Sequence, residues 1–442
     1  LTGMNVAVTT LGCKVNQCES AGMIDALAGR GHRVVGFNEM ADVYIINTCA
    51  VTARTDFQSR QLVRRAHRRN PEAAIVVTGC YAQVFPDAAA TLPGVALVAG
   101  NPEKEEIPSL IEKLARGRQE ILISDIRRME SCAGPPAARF HGHTRAFLKI
   151  QDGCDAFCSY CIVPFARGKS RSLPLKDVLE RASLLAGAGH REIVLTGVHL
   201  GAYGADLRPK ADLLTLCRTI EENGPVRRLR LSSIEPREVS DGMIEYLANS
   251  KTLCAHLHIP LQSGDDDILR LMGREYDRAF FKNLAEKITS ALPEAAVGID
   301  VMTGFPGEDD GAFERTLEFV EGLPVAYLHV FPYSERPGTA AVKLPGRVSG
   351  AIRSSRGERM RSLGQKKRLA FVGRFLGKTL KVLVEDRRDR ATGMLKGFSR
   401  NYIPVLIDKG DSSLVNREID VVVIGTTGGS AIGRASRVDQ NG

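Results

Sequence analysis

Three thiols fall within eight residues at Gly153-Cys154-Asp155-Ala156-Phe157-Cys158-Ser159-Tyr160-Cys161, spaced C-x3-C-x2-C. Thiolates are soft ligands, and so short a spacing wraps a loop around one metal ion or one cluster. A closed structural zinc site takes four protein ligands, so three leave a coordination position for a substrate or cosubstrate. A cubane iron–sulfur cluster held by three cysteines likewise keeps one iron open. The competing reading is a zinc knuckle completed by a distant Cys or His, or a loop of merely reactive thiols. C-x-x-C pairs in intracellular chains are more often metal or redox sites than accidents.

A second set of thiols is spread over the first 125 residues. Cys13, Cys49 and Cys80 each end a short apolar run: Val6–Leu11, Tyr44–Thr48 and Ile75–Gly79. The intervals of 36 and 31 residues match one βαβ unit, roughly 30 residues or more. With helical stretches near 19–29 and 56–69, and further strands at 96–99 and 121–125, the pattern predicts a doubly wound parallel α/β domain over 4–125. Such a sheet binds ligands at the carboxyl ends of its strands. Three thiols brought to that edge predict a second three-cysteine cluster, whereas buried cysteines used as small hydrophobes have no reason to punctuate every strand. Cys18, one turn into a helix, reads as a packing thiol. Arg60, Arg64, Arg65, Arg68 and Arg69 line one helix side, a pattern of a solvated face or of RNA contact.

Residues 126–144 read as a linker, with Pro135-Pro136 as breakers and His141 and His143 as exposed polar residues. From 145 to 370, strand runs at 146–152, 192–198, 228–234, 256–261, 296–303 and 327–333 alternate with helical stretches near 176–187, 211–222, 238–249, 277–291 and 310–322. Repeated βα units predict a partial (β/α)6 barrel. Polar or glycine-rich residues follow every strand, and barrel enzymes place their sites at that face. Beyond it, short β runs at 379–385, 391–398, 402–407 and 419–424 predict a small antiparallel, OB-like barrel over 373–437. Such barrels bind single-stranded or looped RNA. Phe398 and Tyr402, interleaved with Lys396 and Arg400, are its candidate surface, a lid or assembly module being the alternative.

The 442 residues are too many for one core, and two to four domains are expected. No apolar run approaches the roughly 20 residues that span a bilayer. The opening residues carry no basic n-region or cleavage pattern, so a cytoplasmic protein without a membrane partner is expected. Ten cysteines then argue for metal or redox chemistry over a disulfide framework. A net charge of +9 permits a polyanion partner.

The cysteine loop, placed after the first strand of a six-unit barrel, resembles the cluster motif of radical S-adenosylmethionine enzymes. In that likeness Gly197 corresponds to the backbone edge that grips the methionine moiety, Ser232 and Glu235 to ribose and amino-group contacts, and Gly304 and Gly307 to an adenine-side turn. Thr196-Gly197-Val198 stands where those enzymes usually carry Gly-Gly-Glu. Over the whole chain, the order of domains and the phrases Thr10–Gln17, Asn47–Thr52, Gly79–Gln83, Leu195–Tyr203, Leu231–Pro236 and His329–Ser334 resemble the methylthiotransferases, with the last module similar to a TRAM domain. Within that family the phrases look most like the branch acting on N6-threonylcarbamoyladenosine at position 37 of tRNA, although Cys18 stands where that branch usually has Tyr.

The resemblance implies two 4Fe-4S clusters, one on Cys154, Cys158 and Cys161 and one on Cys13, Cys49 and Cys80. It implies two S-adenosylmethionine molecules per turnover: one gives a 5′-deoxyadenosyl radical that takes hydrogen from C2 of the base, the other gives the methyl group. The implied partners are the tRNA anticodon loop, an electron donor and a sulfur donor. Alternatives are isopentenyladenosine in tRNA, an aspartate of a ribosomal protein, a radical enzyme of other chemistry, and a non-catalytic iron–sulfur or zinc RNA-binding protein.

Overall fold

In a computed structural model of the protein, residues 3–114, 118–132, 134–140 and 142–436 are described. His141 of the expected linker and residue 437 of the expected last domain lie outside the described residues.

The first sheet holds β1 (Asn5–Thr10), β2 (Arg33–Val35), β3 (Val43–Thr48), β4 (Ala74–Gly79), β5 (Val95–Ala99) and β6 (Glu120–Leu122), all parallel, in the order β2-β1-β3-β4-β5-β6. Successive strand side chains face opposite ways, and the apolar runs divide accordingly. Val6, Val43, Ile45 and Val76 pack with Met23 and Leu27 of helix Lys14–Gly29. Tyr44, Ile46, Ile75 and Val77 pack with Val63 and Ala66 of helix Ala53–Arg69 on the other face. The sheet is doubly wound. Its strand order reverses direction between β1 and β3, and the crevice at such a point is where open α/β sheets bind ligands. Cys13 and Cys49 follow those two strands.

The central unit contains β7 (Arg145–Lys149), the short strands β8 (Gln151–Asp152) and β9 (Arg171–Ser172), then β10 (Glu192–Thr196), β11 (Arg228–Leu231), β12 (His256–His258), β13 (Ala296–Thr303) and β14 (Tyr327–Pro332). Parallel pairing joins β11-β10-β7 and β12-β13-β14, and the parallel bridges Leu229–Leu253 and Ser233–His258 link the halves. The result is a six-strand wall with no pairing between β7 and β14 among the described residues, a partial barrel. Helix Lys14–Gly29 covers β7, with the Cys18 sulfur 2.7 Å from the Phe147 carbonyl oxygen. Cys18 thus packs the first sheet against the barrel.

Helix Gly350–Gly373 lies along β14 and leads to β15 (Thr379–Arg388), β16 (Leu395–Ser399), β17 (Pro404–Asp408), β18 (Glu418–Thr427) and β19 (Ser430–Ala435). These close into a barrel in the order β15-β16-β17-β19-β18. Two features depart from the sequence expectation: the fifth strand, and the parallel pairing of β17 with β19. Both arise from Gly428-Gly429, whose φ values of 52° and 81° make a two-residue hairpin loop that needs left-handed backbone at both positions. That turn folds β19 back onto β18, and closure then sets it beside β17. Among the described residues no helix is long and apolar enough to cross a membrane.

Candidate active site

The C-x3-C-x2-C loop is held at both ends. The antiparallel β8–β9 ribbon brackets it. Gly153 has φ 75°, and a Cβ there would lie 1.8 Å from the Lys169 carbonyl oxygen, so only glycine fits. Cys154 N–H donates to Gly168 O (3.0 Å), Cys161 N–H to Cys158 O (2.9 Å) and Ser159 N–H to Met272 O (2.9 Å). All three thiols are half-buried. Burial pushes the Cys161 thiol up to about 12, Val163 N–H opposing and Cys158 and Cys154 adding. A soft metal bound there would displace those protons.

Beside the loop lies a cavity of about 310 Å³ lined by Asp155, Cys158, His199, Glu235, Glu238 and Arg274 among others. Arg274 donates to the Cys158 sulfur (3.3 Å) and to Glu235 (2.5 Å). Burial raises the Glu235 carboxyl, against the pull of Arg274. His199 joins Glu238 (2.6 Å) and stands 3.5 Å from the Cys154 sulfur. Gln151 ties this edge to the loop: its oxygen accepts from His199 N–H (2.8 Å) while its NH2 donates to Gly153 O (2.7 Å). A Cβ on Gly197 would approach that oxygen to 2.7 Å, so glycine at 197 lets the β10 end meet Gln151.

In the first sheet the strand ends touch. A Cβ on Gly12 (φ 99°) would lie 2.7 Å from Cys49 Cβ, and one on Gly79 (φ 95°) 2.4 Å from the Thr48 carbonyl oxygen. Asn16 donates to Leu11 O (2.8 Å) and Thr48 O (2.9 Å), stitching β1 to β3. Cys49 and Cys80 are buried and Cys13 is exposed. Burial pushes the Cys49 thiol up to about 12, and the charges of Cys80 and Cys13 press it the same way. The three thiols therefore share one electrostatic neighbourhood.

Arg167, six residues past Cys161, connects the two groups. Its guanidinium is fully buried and reaches the Cys80 sulfur (3.4 Å), Glu19 (2.5 Å), Asp152 (3.1 Å) and Asn16. Lys104 and Lys149 also pair with Glu19, and Lys149 with Asp152. Three cations thus meet two carboxylates, leaving one positive charge next to Cys80. That surplus suits a thiolate or an anionic cluster.

A second cavity, about 450 Å³, lies between the first sheet and the barrel interior, with Cys13 and Lys14 on one wall, Ser232, His258 and Asp300 on another, and Tyr402 of the small barrel also lining it. The segment after β11 borders both cavities: Ser232 lines this one and Glu235 the other. The Ser232 hydroxyl is buried without a partner among the described residues. Asp300 accepts from His258 (2.8 Å) and stands 3.4 Å from His329; these hold it well below the usual carboxylate range against the effect of burial. His258, Asp300, Arg167, Lys149 and Glu19 carry no local spacing signal, being charged residues inside strands and helices, and Arg274 lies in a loop outside any motif.

Gly304 and Gly307 line neither cavity. Gly304 N–H donates to Glu308 (2.8 Å), Gly307 N–H to Gly346 O (2.9 Å), and Gly304 packs on Arg353. The aromatic surface expected for RNA is also placed differently. Phe398 and Tyr402 stack on each other (5.1 Å) with Arg145 over Phe398 (4.6 Å) and Arg230 over Tyr402 (4.9 Å), and Arg400 pairs with Glu418 (2.9 Å). These residues join the small barrel to the central one, because the barrel arginines supply cations for both aromatic faces.

Residues 5–100 match the model of the Uncharacterized protein family UPF0004, and residues 148–320 that of the Radical SAM superfamily. The chain is 38% identical over 424 residues to the Threonylcarbamoyladenosine tRNA methylthiotransferase MtaB of Bacillus subtilis, covering 95% of this chain and 93% of that one. To the protein of that name from Aquifex aeolicus it is 39% identical, covering 91% and 96%. The tRNA-2-methylthio-N(6)-dimethylallyladenosine synthase of Pelotomaculum thermopropionicum is 34% identical, covering 95% and 94%. Among solved structures, the radical S-adenosylmethionine methyltransferase TsrM of Kitasatospora setae shares the fold, with a TM-score of 0.54 over 77% of each chain at 14% identity.

Proposed function

The chain belongs to the radical SAM methylthiotransferase family, and on that premise we propose its substrate and the duties of its residues. The substrate is N6-threonylcarbamoyladenosine at position 37 of tRNA, which gains sulfur at C2 and a methyl group on that sulfur. The observation that carries this reading is that one cysteine of each triad, Cys158 and Cys13, lines a cavity, and that the segment from Ser232 to Glu235 runs from one cavity to the other. The names of relatives at 38 and 39% identity support the choice of base.

Cys154, Cys158 and Cys161 would hold one 4Fe-4S cluster, and Cys13, Cys49 and Cys80 the other. The donor sets fit: each is three soft thiolates with an arginine N–H on one sulfur, Arg274 on Cys158 and Arg167 on Cys80. Bound there, the clusters supply the electron that cleaves S-adenosylmethionine and the iron that carries sulfur, chemistry no side chain provides. The chain's own residues do the rest. In the 310 Å³ cavity Arg274 suits the cosubstrate carboxylate, and Glu235, Glu238 and Asp155 suit its ammonium and sulfonium charges. Gly197 lets the β10 end meet Gln151, which holds the His199 edge of this cavity. The Gly304–Gly307 turn follows β13 and is held by Glu308 and the Gly346 carbonyl. Tyr402 and the start of helix Lys14–Gly29 line the larger cavity, where exclusion of water would protect a radical formed at an unactivated C–H bond.

The test is reconstituted full-length protein with dithionite, sulfide, S-adenosylmethionine and an anticodon stem-loop carrying N6-threonylcarbamoyladenosine. The 2-methylthio nucleoside is expected on digestion. Conversion of an isopentenyladenosine stem-loop in its place would overturn the assignment of substrate.

A further inference from the structure

The 450 Å³ cavity contains three side-chain cations, and two are already used. Arg145 pairs with Glu385 (2.8 Å), and Arg230 with Glu192 (2.8 Å). The Lys14 ammonium, adjacent to Cys13, has no hydrogen bond or ion pair among the described residues. The cavity's carboxylate, Asp300, is taken by His258 and His329. Among the described residues, two buried polar atoms on the same walls also lack partners: the Ser232 hydroxyl and His256 Nδ1. An unpaired ammonium together with an orphaned hydroxyl and ring nitrogen is costly around an apolar ligand, since each stays desolvated and unsatisfied. The same groups are well used by a ligand bearing a carboxylate and further polar atoms.

We infer that Lys14 is a specificity-determining residue that reads the carboxylate of the threonylcarbamoyl group on the substrate base. The inference rests on the substrate reading above. A threonylcarbamoyl group carries one carboxylate, one hydroxyl and a urea; an isopentenyl group carries none of these. An ammonium–carboxylate hydrogen bond in a partly desolvated cavity is among the stronger ones available to a protein. A lysine at 14 therefore favours the first base and leaves an isolated cation facing the second. Its position one residue from Cys13 brings the base to the first-domain triad by the same contact.

The experiment compares binding of two anticodon stem-loops to the full-length, cluster-loaded protein at fixed salt. One carries N6-threonylcarbamoyladenosine at position 37, the other its methyl ester, which keeps the shape and removes the charge. Wild-type protein is expected to bind the acid roughly tenfold or more tightly than the ester. Lys14→Met is expected to bring that ratio close to one, and Lys14→Arg to keep most of it. Iron and sulfide content, measured for each variant, shows that Cys13 still holds its share. If Lys14→Met keeps the wild-type ratio with full iron content, the inference is wrong and the substrate reading stands. A wild-type ratio of one with efficient thiolation of the acid also overturns the inference alone. If the wild-type protein neither distinguishes the acid nor thiolates it, both fall.

Discussion

Arg167→Met removes the cation that joins the two cysteine groups. The side chain makes charge-assisted contacts to Glu19 and Asp152, and donates to Asn16 and the Cys80 sulfur. Breaking a buried ion pair by removing one partner costs about 3–5 kcal/mol, because the remaining charge stays desolvated. Here Glu19 retains Lys104 and Lys149, and Asp152 retains Lys149, so the lower end, about 3 kcal/mol, is expected. The local charge also falls from one surplus positive to none, which disfavours an anionic cluster at Cys80 and lowers its reduction potential. Urea unfolding monitors the first cost. Iron content and a potentiometric titration followed by electron paramagnetic resonance monitor the second, in a Cys154→Ala, Cys158→Ala, Cys161→Ala background that leaves the first-domain triad alone to be loaded. A variant within about 0.5 kcal/mol of its parent, with unchanged iron content and potential, would refute the role given to Arg167.

Replacing Cys158 with Ala should abolish cleavage of S-adenosylmethionine, whereas Cys49→Ala should leave uncoupled cleavage without sulfur insertion; product analysis by mass spectrometry separates the two. Normal thiolation by the Cys49 variant would show the first-domain assignment to be wrong. Gly12→Ala adds a Cβ at φ 99° and 2.7 Å from Cys49 Cβ, so loss of first-domain iron is expected with the barrel triad still loading. Glu19 is held well below the usual carboxylate range: burial opposes this and Arg167, Lys104 and Lys149 outweigh it. Its contribution is therefore present above the unfolded carboxylate value, about 4.3, and is lost as the pH falls further. Unfolding midpoints measured from pH 6 down to 3 should drop for the parent protein and drop less for Glu19→Gln.

Much of this architecture is legible along the chain because the informative signals are local. Each apolar run that ends in Gly-Cys or Thr-Cys reports its own strand and its own thiol, and the βα spacing brings those ends to one edge without further information. The C-x3-C-x2-C loop is likewise closed by neighbours in sequence. Arg167, Glu19, Lys104 and Lys149 are different: charged residues in a helix or strand resemble a solvated face until the packing of the first sheet on β7 buries them together. Phe398 and Tyr402 share a pattern with exposed aromatic platforms, and it is Arg145 and Arg230, more than 150 residues earlier in the chain, that hold them half-buried between the two barrels. The fifth strand of the small barrel is masked by the Gly428-Gly429 pair before it, which reads equally well as a chain ending or a hairpin.

The central claim is best tested on tRNA nucleosides, by mass spectrometry, from cells with and without this gene. The account predicts loss of the 2-methylthio form of N6-threonylcarbamoyladenosine and accumulation of its unthiolated precursor. An unchanged nucleoside profile would contradict it.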